Sequence, residues 1–220
     1  MTPNLPEAVS AFNSMVKAVE VLLSIARSGE LQREACKTLD VQAEKLANEK
    51  ARAIAARDEG LANLLLGCQC VNTSLLAELR MYLLLKEEKP DDAWDQLVLA
   101  QDGAIDATRA HPVFAHLVHQ SAKLEAIEQL VFPPQVFISS GFLAANQECS
   151  ICCAEYGECD HLLGKPYMGK FCHIIARNLS VDHVAIVDSP ADKRCRVRSF
   201  SVEGGNRNRM TWLVVRGEET

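Results

Sequence analysis

No apolar run in the sequence approaches the roughly 20 residues that a membrane-spanning helix needs. The richest, LANLLLGCQCV, is broken by glycine and glutamine, so neither a transmembrane segment nor a membrane partner is expected. The opening stretch MTPNLPEAVSAFNSMVKAVEVLLSIA has no early lysine or arginine. It reads as an amphipathic helix and not as a secretory signal, which makes the cytoplasm the expected compartment. Also missing are a Gly-rich phosphate-binding loop and a nucleophile elbow, which removes the usual signatures of nucleotide and acyl-transfer chemistry. No period of 33 to 47 residues recurs, so a solenoid is not expected.

What is present describes an ordinary globular chain. Of 220 residues, 48% are apolar and 24% charged, enough to bury a core in one large or two small domains. The net charge of −6 disfavours wholesale attraction to nucleic acid. Basic residues nevertheless gather near the C-terminus, at Lys193, Arg194, Arg196, Arg198, Arg207 and Arg209. They are expected to be solvated residues beside strands. A nucleic-acid-binding role for Arg194, Arg196, Arg198, Arg207 and Arg209 is the competing reading.

Two periodicities divide the chain. From Pro6 to about Phe132 the pattern is helical. Phe12, Val16, Val19, Leu23 and Ala26 fall on one stripe of a helix expected to stop near RSGE. The charged segment after it carries a thin seam of Cys36, Leu39, Ala43, Leu46 and Ala53, interrupted by Lys50. Such a seam fits one arm of an antiparallel hairpin whose partner is the apolar segment after Gly60. A fourth helix opens at Pro90 with Trp94, Leu97, Val98 and Ile105 inward, and a fifth runs from about Val113 to Leu130.

After FPPQ, β-branched and aromatic residues take over. QVFIS, KFCHIIA, HVAIVD, RVRSFSV and MTWLVV read as short strands, with EGGNRN as a hairpin turn. The expected fold class is α+β: a helical bundle or long helical hairpin over residues 1–132, then a small zinc-stabilised β-rich domain over 133–220.

Nine cysteines in a reducing compartment point to metal binding more than to a disulfide framework. Four of them, with a histidine, crowd into QECSICCAEYGECDHLLG. Cys149 and Cys152 stand at the interval where a tight turn aims two sulfurs at one ion. Cys159 and His161, one residue apart, share a face in extended backbone. Together Cys149, Cys152, Cys159 and His161 make a Cys-x2-Cys-x6-Cys-x-His set suited to a tetrahedral, structural Zn2+. Cys172 is a spare thiol that could replace His161. Cys153 stands where many such knuckles have glycine in a left-handed turn.

The remaining candidates carry less chemistry. His111, His116 and His119 on or beside the fifth helix read as surface or half-buried histidines. Cys68 and Cys70, about 200 degrees apart on a helix, read as packing residues. Ser180, Ser189, Cys172, His173, His183 and Asp188 could in principle serve a hydrolase, but no loop marks any of them.

HVAIVDSPADKRCRV, His183 to Val197, resembles the EVSLV-x2-PA segment of tailed-phage prohead proteases. From Cys149 onward, the cysteine motif followed by Gly164, Tyr167, Gly169 and Cys172 is similar to small zinc-motif proteins of phages and mobile elements. The resemblance covers roughly 50 residues and implies a shared β element in a phage or mobile-element setting. His183 and Ala185 stand where the protease segment has an acidic residue and serine, so peptidase activity does not carry over. The expected function is a non-enzymatic zinc-binding interaction or assembly protein, meeting a protein partner or another copy of itself through the helical region. A degenerate prohead-type peptidase and a nucleic-acid-binding module are the alternatives.

Overall fold

A computed structural model describes residues 5–215. The fold is α+β: five helices come first and small antiparallel sheets follow. The helices are α1 (Leu5–Glu20), α2 (Gly29–Ala55), α3 (Glu59–Lys86), α4 (Pro90–Ala110) and α5 (Val118–Val131), with a 3-10 segment, Pro112–Leu117, leading into α5. The strands are β1 (Phe137–Cys149), β2 (Pro166–Tyr167), β3 (Lys170–Phe171), β4 (Ile174–Val187), β5 (Ser199–Val202), β6 (Gly205–Asn208) and β7 (Val214–Val215).

Helices α2 and α3 form the expected hairpin, and Cys36, Leu39, Leu46 and Ala53 are its buried seam. Asp58 caps the start of α3 by accepting from the Leu61 N–H at 3.0 Å. Helix α3 is long and apolar enough in composition to cross a membrane, yet 56% of its most apolar stretch is buried here as the central core helix. It packs on both sides. Asn72 donates to the Leu39 carbonyl of α2 at 3.0 Å, and Ser74 donates to the Ala100 carbonyl of α4 at 2.8 Å. Gly103 lets α4 approach this closely, because a Cβ there would lie 2.9 Å from the Cys70 carbonyl oxygen and 3.0 Å from the Ser74 nitrogen.

Two helical expectations are corrected. Helix α1 stops at Glu20, because the Gln32 side chain donates to the Leu22 and Ser24 carbonyls at 2.9 Å and holds that stretch as a turn. Leu23 is still buried, but from outside the helix. On α4, Trp94, Leu97 and Val98 are inward as expected, whereas Ile105 is exposed and small residues, Ala104 and Ala107, fill the inner face.

Two strands, β1 and β4, are much longer than their sequence signals, and the other five are short. β1 and β4 make one antiparallel ribbon, in register from Phe137 opposite Val187 to Cys149 opposite Ile174, with a bulge at Gly141/Phe142. GFLAANQE and RNLSVD are therefore strand, although their small and polar residues read as breaks. Asn178 is accommodated with φ of 52°. EGGNRN contains strand β6, paired with β5, and only Glu203 and Gly204 make the turn.

Between residues 133 and 215, only Cys149, Gly169, Cys172, Arg196 and Met210 are buried. A ribbon and two small sheets with so few buried side chains cannot hold themselves together by apolar burial alone. Part of the remedy is docking onto the helices. Residues 195–197 pair with the start of β1 through Ile138 N–H to the Cys195 carbonyl and Val197 N–H to the Val136 carbonyl, both at 2.9 Å. Arg196 then reaches Asp91 of α4 at 2.6 Å, and Trp94 Nε1 donates to the Lys193 carbonyl at 3.0 Å.

Candidate metal centre

The cluster forms where the ribbon ends. β1 delivers Cys149, and the chain turns at once, with the Cys153 N–H donating to the Cys149 carbonyl at 2.8 Å. Cys153 has φ of 61°, the left-handed conformation expected of the glycine that usually stands there. The chain then runs back beside the end of β1, where the Cys149 N–H donates to the Ala154 carbonyl at 2.8 Å and the Tyr156 N–H to the Gln147 carbonyl at 2.7 Å.

Two tyrosines fix the second half of the motif. Tyr167 Oη accepts from the Leu162 N–H at 2.9 Å, and Tyr156 Oη accepts from the Leu163 N–H at 3.3 Å. The His161 ring stands edge-on to Tyr167, centroids 4.6 Å apart. Beyond it, β2 and β3 form a hairpin whose two central residues, Met168 and Gly169, both have positive φ, as a tight two-residue turn requires. The tip is anchored on α3, with the Gly169 N–H donating to Asn63 Oδ1 at 2.8 Å and the Met168 N–H to Glu59 Oε1 at 3.2 Å. Lys50 lies against Gly169.

The structure brings Cys149, Cys152, Cys159 and His161 together, with their ligand atoms all within 4.8 Å of one another. Cys149 is fully buried, Cys159 and His161 are half-buried, and Cys152 is at the surface. Cys172, directly after β3, is also buried, and its Sγ lies 3.8 Å from Cys149 Sγ. His161 Nδ1 is buried without a hydrogen-bond partner. A buried ring nitrogen left unpaired is costly, and a metal ion would satisfy it. The donor set therefore fits a metal: three soft sulfurs and one imidazole nitrogen around one point.

Electrostatics favour a first thiolate at Cys149. Burial resists its ionisation, but the Cys152 and Ile151 amides and the Cys152 and Cys159 thiols directed at its sulfur outweigh burial and bring it down to about 6. The Ile151 N–H lies 3.4 Å from that sulfur. The Cys172 thiol is pushed up, first by burial and then by its neighbour Cys149. Cys68 and Cys70 are both pushed up to about 12, mainly by burial, which suits packing residues of α3.

Of the C-terminal arginines, Arg194 and Arg198 are exposed as expected, whereas Arg196 is buried. Arg196 is paired with Asp91, which also accepts from Asn208 at 2.6 Å, and Arg198 pairs with Asp95 at 3.0 Å. Arg194 pairs with Asp192 at 2.9 Å, Arg209 donates to the Pro134 carbonyl at 3.4 Å, and Arg207 lies over the Trp212 ring. The acidic first turns of α4 are thus the counter-charge to this basic segment. PDDAWD and RCRVR carried that signal, as two oppositely charged stretches about 100 residues apart. The hairpin anchors Glu59, Asn63 and Lys50 gave none.

Of the hydrolase candidates, His183 bonds only its neighbour Asp182, at 3.0 Å, and His173 and Ser180 are exposed. His111 accepts from the Val113 N–H at 3.3 Å, serving as a cap. Comparison with known families, curated proteins and solved structures finds no match to this chain.

Proposed function

We propose that this is a non-enzymatic assembly or interaction protein whose C-terminal part is stapled by one structural Zn2+ at Cys149, Cys152, Cys159 and His161. The convergence of these four donors within 4.8 Å carries the reading. Zinc suits the set because three thiolates and one imidazole fill its tetrahedron and leave no position for a reacting water. The ion would supply folding energy where only five residues between 133 and 215 are buried. Work on partners then falls to surfaces. The register of the ribbon places Phe142, Leu179, Val181, Val184 and Ile186 on one face, all exposed, and a contiguous apolar sheet face of this kind is a protein-binding feature. Such a partner surface fits a cytoplasmic complex of a phage or mobile element.

Elemental analysis of protein purified under reducing conditions tests the staple. One zinc per chain is expected, lost in the Cys149→Ser/Cys152→Ser variant together with protease resistance around Cys149. A folded, metal-free wild type would refute it. Light scattering over a concentration series, with Phe142→Ser/Val181→Ser as control, tests the assembly role. Self-association or partner capture that survives this variant would remove the ribbon face from the proposal.

A further inference from the structure

Five metal donors crowd a site that has four positions. Cys149 Sγ is their hub. The ligand atoms of Cys152, Cys159 and His161 lie within 4.8 Å of it, and Cys172 Sγ stands 3.8 Å away. That separation is already the edge of a tetrahedron built on metal–sulfur bonds of about 2.3 Å, which is about 3.8 Å. Cys172 stands beside the four atoms that converge within 4.8 Å and is not one of them, so a short closure between Cys172 and the ion accompanies the exchange.

The two candidates for the fourth position differ in how they are held. Cys172 is 1% exposed and fixed by paired backbone bonds, its N–H to the Lys165 carbonyl at 2.9 Å and its carbonyl from the Gly164 N–H at 2.8 Å. Behind it the β2–β3 hairpin is pinned to α3 through Asn63 and Glu59. His161 sits on a loop, between Cys159 and the exposed Leu162 and Leu163, and is steadied by the Tyr167 ring. One donor is fully buried and held by backbone bonds on both sides, and the other is half-buried on a loop.

We propose that Cys172 is a standby ligand: when His161 leaves the metal, Cys172 takes its position, and the ion keeps four protein bonds throughout. This rests on the metal reading above. The exchange balances internally. The metal–Nδ1 bond breaks, the metal–Sγ bond forms, and the proton released by the Cys172 thiol is taken by the freed imidazole. The centre can therefore open on the His161 side, toward a partner or in ion exchange, without letting the staple go. A closed four-donor site has no such route.

Cobalt(II) in place of zinc distinguishes the two coordination states. Tetrahedral cobalt gives intense visible bands, and its near-ultraviolet charge transfer grows with the number of thiolates. His161→Ala and Cys172→Ser are each expected to bind one cobalt tetrahedrally. Charge transfer should be about four-thirds as strong in His161→Ala, which has four sulfurs against three. The double variant keeps three sulfurs with water in the fourth position, so its charge transfer should fall back to the three-sulfur level. Cys172→Ala, which keeps the site apolar, repeats the measurement, and helical circular dichroism equal to wild type qualifies each variant. If both Cys172 variants fail that criterion, His161→Ala decides alone. Charge transfer in His161→Ala that stays at the three-sulfur level, or loss of tetrahedral cobalt there, would show that Cys172 does not take the position and overturn the proposal. Loss in a folded Cys172 variant would make Cys172 a permanent ligand and overturn it equally. A wild type that takes no cobalt at all refutes the metal reading itself, a result distinct from either.

Discussion

Replacing Arg196 with methionine tests whether the C-terminal segment is held to the helices by charge. The Arg196 side chain is fully buried, its Nη2 lies 2.6 Å from Asp91 Oδ1, and its guanidinium lies 5.7 Å from the Trp94 ring centroid. Removing one partner of a buried pair costs about 3–5 kcal/mol, because the other charge is left unpaired. Asp91 moderates this. It keeps its bond from Asn208, is one-quarter exposed, and sits in the first turn of α4, where the helix dipole favours a carboxylate. Loss of the Trp94 contact adds about 0.5–2 kcal/mol. We expect Arg196→Met to cost about 2–4 kcal/mol and Asp91→Asn about 1–3 kcal/mol. The double variant should cost less than their sum, with a coupling of about 1.5–3 kcal/mol. Urea unfolding followed by circular dichroism and by tryptophan fluorescence measures all four proteins. A coupling below about 0.5 kcal/mol would put the pair among surface ion pairs and refute the docking.

Four further outcomes follow from the geometry. Glu78 is fully buried and accepts from Lys123 at 2.7 Å, Gln120 at 2.7 Å and Tyr82 at 3.4 Å; burial, the largest influence, raises its pKa above the ordinary 4.5. The unfolded chain then releases this proton before the folded one does. Stability should fall as pH rises above 4.5 toward the raised folded value, and Glu78→Gln should flatten that slope in pH-dependent melting. Gly103→Ala should cost about 1–3 kcal/mol despite a better helix propensity, since the new methyl meets backbone of α3 that cannot yield; an unchanged melting temperature would contradict that crossing. Gly169→Ala, at φ of 73° and 3.1 Å from Lys50 Cδ, should loosen the hairpin from α3, read as faster hydrogen exchange at residues 166–172 with the helices unaffected. At pH 8, iodoacetamide should alkylate the exposed Cys153 and Cys195 well before Cys36 and Cys68, whose burial raises their pKa; equal rates in the native protein would refute the core placement.

The helical half was legible because its signals are local. The seam of α2 and Pro90 at the start of α4 each act within one or two turns, so spacing alone locates them. The errors came where a distant residue decides. Nothing around Leu22 says that Gln32 will take its carbonyl, and nothing around Ile105 says that α3 approaches along Ala100, Gly103 and Ala107. The ribbon failed for a related reason. Alternation and β-branching mark strands that bury one face on a core, and β1 and β4 bury only Cys149 between them. Their middle sections have small and polar residues that a buried strand would not tolerate, so they read as interruptions.

The candidate site was legible for the opposite reason: ligand chemistry prints its spacing directly into the sequence. Cys149, Cys152, Cys159 and His161 came from spacing alone, and Cys153, a cysteine where glycine is usual, takes the left-handed turn all the same. Cys172 was visible only as a spare thiol, because the hairpin that returns it to Cys149 depends on Met168–Gly169 turning tightly and on Asn63 and Glu59, about 106 to 109 positions earlier, catching the tip. The same separation hid the partners of Arg196 and Arg198. The C-terminal part thus uses two attachments of different kinds, a cluster of soft ligands inside it and acidic helix turns beneath it. With so little apolar burial of its own, neither attachment alone fixes both ends. The cluster joins the far end of the ribbon to the β2–β3 hairpin, and Arg196 and Lys193 fix the near end to α4 and α5. If both hold, loss of metal should free the far end and leave the near end docked, so that Trp94 fluorescence stays constant while proteolysis opens near Cys149.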